Sequence, residues 1–327
     1  MLGLDKIYHA NGVLRQIVHR TDLVPAPHLI PGGDVYLKAE NLQVTGSFKI
    51  RGAYYKISTL TEKERSAGVI ACSAGNHAQG VALAARESGI KSVICLPANA
   101  PVSKISATKA YGAEVLLISG VYDDAYSQAL SLRDVYGYTL VHPFDDEDII
   151  AGQGTVALEI SEQLPDVDAV VAPIGGGGLI SGIAIGLKSI RPSVKIYGVQ
   201  AVGAPSMLRS LVNKHPLALE RVATVADGIA VKKPGRITFD ICSRYIDGIL
   251  LVNDDEISAA VVYLLHKHGL VVEGAGATAV AAVMFDKLAT EGKKTVCILS
   301  GGNIDKEIFA QLIKRGMRLY KTKENEK

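Results

Sequence analysis

Lys49 is the residue whose type and surroundings most suggest covalent chemistry. It lies between Phe48 and Ile50, and Gly46 and Gly52 flank the segment. Among apolar neighbours a lysine amine loses hydration, which lowers its pKa and makes it a nucleophile toward carbonyl compounds. Most lysines are simply solvated, so the spacing alone leaves a Schiff-base role as the minority interpretation of Lys49.

Four consecutive glycines, Gly175–Gly178, follow the apolar run AVVA and precede a helical pattern. Backbone N–H groups at a helix N-terminus bind anions such as phosphate, and glycines leave those groups uncovered by side chains. A tight turn needs only one or two glycines, so the run favours an anion site over a simple turn.

The glycine run does not match the usual nucleotide motifs. A GxGxxG pattern fails because Ile180 or Ser181 stands at the third glycine position, and no GK[ST] follows. The next strand ends in Gln200-Ala201-Val202, with no acid to hold a ribose hydroxyl. The expected ligand is therefore a compact phosphate monoester.

Two further turns carry polar groups. One is the turn Ser73-Ala74-Gly75-Asn76-His77, which follows the run VIAC. Its residue types fit helix N-capping and a carboxylate-binding site equally well. His77 taken alone is more typical of a structural histidine. Ser300 begins a Ser-Gly-Gly-Asn turn after TVCIL and would face the same cleft mouth, although a glycine turn explains this pattern as well.

Short apolar runs alternate with helical patterns along the chain, which predicts an α/β protein with doubly wound parallel sheets. Ligands bind such sheets at the carboxyl ends of the strands, where all these turns lie. Two open units with a ligand cleft between them are expected. The predicted strands are Asp34–Ala39, Val69–Cys72, Ser92–Leu96, Glu114–Ile118, Ala169–Ala172, Lys195–Val199, Ile249–Val252 and Thr295–Leu299.

Composition excludes several classes of protein. The chain has 327 residues and a net charge of +2, which is too balanced for a nucleic-acid or membrane-surface protein. No run approaches the roughly 18 apolar residues of a membrane span, and no signal peptide is visible. The four cysteines lack metal-ligand spacing, so buried free thiols and a cytoplasmic location are expected. The run Asp145–Asp148 is interpreted as a helix N-terminus rather than a metal site.

Taken together, the four segments resemble the fold-type II pyridoxal-phosphate enzymes. They occur in one order and are joined by Gly152-Gln153-Gly154-Thr155, Ala226-Asp227-Gly228 and Glu273-Gly274-Ala275-Gly276. Within that family the chain is most similar to threonine dehydratases, and serine racemase is a close relative. The resemblance runs from about residue 17 to residue 316.

The resemblance implies pyridoxal 5'-phosphate as cofactor and a role for each turn. Lys49 matches the lysine that binds the cofactor and later moves the Cα proton, and Phe48 matches its neighbour beside the cofactor ring. Ser300 matches the partner of the pyridine nitrogen. The phosphate cradle is matched by Gly175, Gly176, Gly177, Gly178 and Leu179, the ring hydroxyl's partner by Asn76, and the substrate-carboxylate loop by Ser73, Ala74, Gly75, Asn76 and His77.

The implied reaction is dehydration and deamination of L-threonine to 2-oxobutanoate and ammonia, with L-serine giving pyruvate. A dehydratase or racemase for serine or 3-hydroxyaspartate is the sibling alternative. Related racemases carry a serine where this chain has Ala74. Some of them also bind a divalent cation through acidic residues, and the corresponding segment here, Gln200–Ser206, contains no acidic residue. Poor racemisation and no metal site are therefore expected. A nicotinamide oxidoreductase and a non-catalytic sensor are the remaining, less favoured, interpretations.

The motif order predicts a large cofactor-binding domain, 1–50 plus 150–327, and a small inserted domain, 51–149. By resemblance we expect a homo-oligomer, a dimer or a tetramer, that acts on a small amino acid without nucleic-acid or membrane partners. Longer relatives continue into an isoleucine-sensing domain, and little chain follows residue 316, so no such regulation is expected.

Overall fold

Two β-sheets form the framework of the computed structural model, which describes residues 2–30 and 32–326. Their strands are β1 (Leu23–Pro25), β2 (Asp34–Lys38), β3 (Val69–Cys72), β4 (Ser92–Pro97), β5 (Glu114–Ile118), β6 (Thr139–Leu140), β7 (Ala169–Pro173), β8 (Lys195–Ala201), β9 (Gly248–Val252) and β10 (Lys294–Ile298). The larger sheet has the order β1-β2-β10-β7-β8-β9, and the smaller has the order β5-β4-β3-β6.

Nearly all strand pairs are parallel, which confirms the predicted α/β class. The larger sheet is mixed at one edge, where β1 pairs antiparallel with β2. An edge strand tolerates Pro25, since its missing N–H is not needed by a further neighbour. Neither β1 nor the two-residue β6 was predicted, because both are too short to show a period.

Helices cover both faces of the sheets, as crossover connections between parallel strands require. The α-helices are α1 (Leu4–Leu14), α2 (Lys49–Ser58), α3 (Glu62–Ala67), α4 (Asn76–Glu87), α5 (Val102–Ala110), α6 (Tyr122–Tyr136), α7 (Glu147–Gln163), α8 (Gly178–Ile190), α9 (Ser206–Asn213), α10 (Arg236–Tyr245), α11 (Asp254–His268), α12 (Gly274–Met284) and α13 (Lys306–Asn325). The acidic run does start a helix, because Asp146 caps α7 by accepting from two backbone N–H groups.

Helices α2, α7 and α8 pack with their backbones in close approach. A Cβ atom on Gly152 of α7 would lie 2.6 Å from the carbonyl oxygen of Arg51, and one on Gly182 of α8 would lie 2.4 Å from the carbonyl oxygen of Ile150. Any larger residue would push the helices apart. This packing brings the N-termini of α2 and α8, where Lys49 and Gly178 lie, to the same side of the fold.

A buried network of charges fastens the same helices. The Arg51 guanidinium of α2 contacts Glu40 at 2.8 Å and Glu159 of α7 at 2.7 Å. The side chain of Arg51 is completely buried. Lys38 Nζ contacts the second oxygen of Glu159 at 2.6 Å. Each charged group of this network therefore has an oppositely charged partner, which offsets the free-energy cost of burying it.

Strands β3–β6 form the smaller sheet, and all four lie between residues 51 and 149. The predicted boundaries fall inside α2 and α7, which join both parts, so the division at residues 50 and 150 stays a proposal. Among the described residues, no helix is long and apolar enough to cross a membrane. All four cysteines lie in the described ranges, where each is buried and free.

Candidate active site

One cavity of about 1290 Å³ lies at the carboxyl ends of strands from both sheets. Every residue that the sequence predicted for the site lines this cavity: Phe48, Lys49, Ser73, Ala74, Gly75, Asn76, His77, Gly175, Gly176, Gly177, Gly178, Leu179 and Ser300. Because Lys49, Asn76 and Gly178 are the first residues of α2, α4 and α8, three helix N-termini meet at the cavity.

Lys49 presents its amine to this cavity. Nζ donates a 2.8 Å hydrogen bond to the carbonyl oxygen of Pro143 and lies 5.3 Å from the centre of the Phe48 ring. Burial lowers the pKa of Lys49 to about 8, and the carboxyl group of Glu273 opposes this shift. A larger fraction of the amine is therefore neutral near pH 8 than in a solvated lysine, and the neutral form is the nucleophile.

The glycine run forms an anion cradle. Within residues 2–30 and 32–326, the N–H groups of Gly175 to Leu179 have no hydrogen-bond acceptor. Gly177 is the N-cap of α8 and has φ +100°, a conformation that favours glycine. Unpaired amides at a helix N-terminus attract anions. The arrangement therefore fits the phosphate ester of the cofactor that the sequence implied.

Neighbouring elements hold this cradle in place. The carbonyl oxygen of Gly176 accepts a 2.6 Å hydrogen bond from Thr238 Oγ1 of α10. The Asp145 carboxylate caps α10 and accepts from the N–H groups of Arg236 and Ile237, both at 2.9 Å. A Cβ atom on Gly176 would lie 2.3 Å from the Phe144 ring, so that ring packs directly against the cradle.

The Ser73–His77 turn leads into α4 and leaves the amides of its first turn facing the cavity. Ser73 Oγ accepts a 3.2 Å hydrogen bond from the Gly75 N–H. His77 is buried and its Nε2 bonds the Val141 carbonyl oxygen at 2.8 Å. Burial lowers the pKa of His77 to about 3, and Lys49 acts in the same direction. His77 is thus a neutral structural residue whose backbone belongs to the turn.

Asn76 is fixed by two side chains. Its Nδ2 donates to Glu273 Oε1 at 2.8 Å, and its Oδ1 accepts from Asn303 Nδ2 at 2.8 Å. Burial raises the pKa of Glu273 to about 8, and the nearby carboxylate of Asp227 adds to the shift. The two bonds set the orientation of the Asn76 amide, which leaves one N–H for a ligand.

Ser300 lies at the end of β10 and is 4% exposed, on the cavity wall. Its carbonyl oxygen accepts a 3.2 Å hydrogen bond from the Phe48 N–H, which ties the Ser300 turn to the lysine segment. Cys72 also lines the cavity, but burial raises the pKa of its thiol to about 12. Cys72 is therefore not a nucleophile at neutral pH.

Sequence reasoning missed several cavity residues. Pro143, Phe144 and Asp145 carried no local signal, although the last belonged to the acidic run assigned to a helix start. Glu273 stood in one of the motifs that carried the resemblance, which could have singled it out. Lys104 of α5 and Asp227 form a 2.7 Å ion pair at the cavity edge and were not predicted.

A lysine amine of lowered pKa beside an anion cradle, in a cleft between two α/β units, defines an enzyme that binds a phosphate-bearing carbonyl cofactor. The chain belongs to the pyridoxal-phosphate-dependent enzyme family, whose model matches residues 14–301. It is 50% identical over 319 residues to an L-threonine ammonia-lyase of Thermotoga maritima, covering 97% of this chain and 79% of that one.

Solved structures show the same fold over nearly all of this chain. The processed form of threonine deaminase isoform 2 from Solanum lycopersicum superposes with a TM-score of 0.91 at 39% identity, covering 96% of this chain and 87% of that chain. Maize serine racemase superposes with the same TM-score of 0.91 at 32% identity, covering 98% and 99%. Because the scores are equal, the fold does not choose between the two reactions.

Proposed function

We propose that this protein is a threonine ammonia-lyase. It converts L-threonine to 2-oxobutanoate and ammonia, and L-serine to pyruvate, with pyridoxal 5'-phosphate as cofactor. The observation that carries the proposal is the Lys49 amine of lowered pKa in the cavity that holds the glycine cradle. The 50% identity to an L-threonine ammonia-lyase supports threonine as substrate.

The residues of the cavity would hold the cofactor from three sides. Lys49 would bind its carbonyl carbon, and its phosphate would be held by the amides of Gly175, Gly176, Gly177, Gly178 and Leu179. Phe48 would pack beside the ring, Asn76 would donate to the ring hydroxyl, and Ser300 would bond the pyridine nitrogen. When bound, the cofactor supplies an electron sink for the carbanion at the substrate Cα.

The substrate is oriented by the turn Ser73–His77. The free amides at the start of α4 and the Ser73 hydroxyl bind its carboxylate, which the positive end of the helix dipole favours. Lys49 Nζ, once the substrate amine has displaced it from the cofactor, would be the base that takes the proton from Cα. An amine of pKa about 8 is well matched to this task, since proton transfer is most efficient when the pKa of the base is near the working pH.

Ser300 would offer a neutral hydroxyl to the pyridine nitrogen of the bound cofactor. A hydroxyl would not stabilise a protonated ring as a carboxylate would, so the cofactor would be a weaker electron sink. Such a site suits elimination of the β-hydroxyl better than transamination.

Racemisation of serine is the second candidate, favoured by the structural likeness to maize serine racemase. Ala74 opposes it, because this position in the carboxylate turn offers no acid or base for the face of Cα opposite Lys49. Elimination needs no acid or base on that face, so serine and 3-hydroxyaspartate stay alternative substrates for elimination.

The proposed function is tested with the purified protein and pyridoxal phosphate. Borohydride reduction should leave one stable cofactor adduct, found on the peptide that contains Lys49 by mass spectrometry. Lys49→Ala should abolish 2-oxobutanoate release from threonine, whereas Lys188→Ala, at a surface ion pair with Asp247, should not. An adduct on another lysine, or full activity of Lys49→Ala, would contradict the proposal.

A homo-oligomer is also part of the proposal. Leu42 and Val271 are 54% and 45% exposed, and Asn41 Nδ2 bonds the Val271 carbonyl oxygen, so the two apolar side chains belong to neighbouring segments of the surface. A contiguous apolar patch can mark a protein–protein interface, and the proposed oligomer would cover these two side chains. The free cysteines support a reducing, cytoplasmic location.

A further inference from the structure

His142 organises the turn that follows β6. Its Nδ1 accepts hydrogen bonds from two backbone N–H groups, those of Phe144 at 3.2 Å and Asp145 at 2.8 Å. A nitrogen that accepts carries no proton, so the ring is neutral and protonated at Nε2. Burial lowers the pKa of His142, against the opposing effect of Asp145, which keeps this form at neutral pH.

The three residues after His142 each contact a different part of the active site. The Pro143 carbonyl oxygen accepts from Lys49 Nζ at 2.8 Å. The Phe144 ring packs against Gly176 and stacks edge-on to His142, with 4.7 Å between ring centres. The Asp145 carboxylate caps α10, the helix whose Thr238 hydroxyl holds the carbonyl group of Gly176.

We infer that His142 is a positioning residue for the proposed reaction: its unprotonated Nδ1 folds the turn that aligns the Lys49 amine with the glycine cradle. The amine and the cradle lie on separate elements, α2 and the start of α8. The turn 142–145 contacts both, and it connects the smaller sheet to α7. The inference rests on the proposed function for the role of Lys49, but its geometry involves only protein atoms.

Without an acceptor at Nδ1, the N–H groups of Phe144 and Asp145 lose their partners inside the site. The turn would then relax, and its contacts to Lys49 and Gly176 would loosen. Asparagine offers a matched replacement, because its Oδ1 stands at the same distance from the backbone and accepts from the N–H groups two and three residues on. Phenylalanine keeps the ring and removes the acceptor.

The test compares His142→Asn and His142→Phe as holoenzymes. Cofactor dissociation is measured by absorbance after dilution, alongside the thermal unfolding midpoint. We expect His142→Phe to bind pyridoxal phosphate about tenfold more weakly, as the loss of one or two net hydrogen bonds implies, and His142→Asn to stay within about threefold of the wild type. His266→Phe is the control, since His266 bonds Tyr320 outside the cavity.

Equal cofactor affinity in His142→Phe and the wild type would overturn the inference. So would a loss in His142→Asn as large as that in His142→Phe, because the acceptor would then not be the cause. If His142→Phe does not fold, His142→Ser and His142→Ala make the same comparison, and equal affinities of those two would overturn it. A wild type that retains the cofactor but not threonine activity contradicts only the proposed function.

Discussion

Asn76 donates a 2.8 Å hydrogen bond to Oε1 of Glu273, a carboxyl group buried beneath the active-site cavity. The two residues are 197 positions apart in the sequence and belong to α4 and to the N-cap of α12. Since Asn303 bonds the other end of the same amide, Glu273 decides which way the Asn76 donor points. The protonation state of Glu273 therefore affects the stability of the fold. It also affects the orientation of the Asn76 amide, which would contact the cofactor ring.

Replacing Glu273 with glutamine should flatten the dependence of stability on pH. Burial raises the pKa of Glu273 to about 8, whereas an unfolded glutamate titrates near pH 4.3. Below about pH 4.3, Glu273 is protonated in both the folded and the unfolded protein. Between about pH 4.3 and pH 8, it keeps its proton only in the folded protein. Wild-type stability is therefore lost as pH rises toward 8.

The Glu273→Gln variant keeps an acceptor for Asn76 and carries no titrating group. Above pH 8 it should be more stable than the wild type, by on the order of 5 kcal/mol. Urea unfolding of the cofactor-free proteins at pH 5 and pH 8.5 gives this difference. Glu307→Gln, on the exposed first turn of α13, serves as the control. Parallel pH profiles for wild type and Glu273→Gln would show that the buried carboxyl group does not hold its proton.

Gly176→Ala should strongly weaken cofactor binding. Its Cβ would lie 2.3 Å from the Phe144 ring, a distance that no relaxed contact reaches, so the ring or the cradle must move. We expect pyridoxal-phosphate affinity to fall at least about a hundredfold, measured by absorbance titration.

Gly12→Ala is the matched control for Gly176→Ala. Gly12 lies inside α1 and a Cβ there meets nothing within 4 Å. Alanine should raise stability there by about 0.5–1 kcal/mol and leave cofactor binding unchanged. Normal cofactor affinity in Gly176→Ala would mean that the cradle adapts more freely than its packing indicates.

The local motifs of the site could be predicted from the sequence because each one is a turn between a strand and the start of a helix. Gly175–Gly178 and Ser73–His77 carry their own conformational signals, and parallel topology brings such turns to one cavity. The residues that complete the site come from packing instead. Pro143 lies 94 positions from Lys49, and Asp145 caps a helix more than ninety residues further on, so no window of sequence links them.

The boundaries of helices and strands could likewise be predicted only where the local sequence carries a signal. Val69–Cys72 and Glu114–Ile118 were predicted with the observed limits, since each is a β-branched run between turn residues. Helix α12 ends at Met284, two residues before Asp286, whose left-handed conformation cannot continue a helix. Leu288 and Ala289 beyond that point still fit a helical spacing of apolar residues, so hydrophobicity alone gave no stop signal.

Ala74→Ser should add racemisation of serine to the elimination reaction. The hydroxyl would supply the acid that the face opposite Lys49 lacks, and positioned proton transfer contributes about 10²–10⁴-fold to a rate. We expect formation of D-serine from L-serine to rise at least about tenfold, followed by chiral chromatography. Ala74→Gly, which adds no hydroxyl, should show no gain. Fast racemisation by the wild type would show that another group already serves this face.

Arg51→Leu should be among the most destabilising single substitutions in the protein. The guanidinium is fully buried between Glu40 and Glu159, at 2.8 Å and 2.7 Å. Burial alone would raise the pKa of Glu40, but Arg51 outweighs this effect and holds that pKa below its usual range. Removing Arg51 leaves Glu40 as an unpaired buried charge, which costs about 3–5 kcal/mol.

The surface supplies the control for Arg51→Leu. Arg20 contacts Glu162 at 2.6 Å, but both side chains are more than half exposed. Arg20→Leu should cost less than about 1 kcal/mol in urea unfolding, because solvent screens an exposed pair. In an Arg51→Leu background, Glu40→Gln should recover part of the loss, since it removes the orphaned charge. If Arg51→Leu costs no more than Arg20→Leu, the buried network does not fasten α2 to α7, and the position of Lys49 must depend on the glycine contacts between the helices.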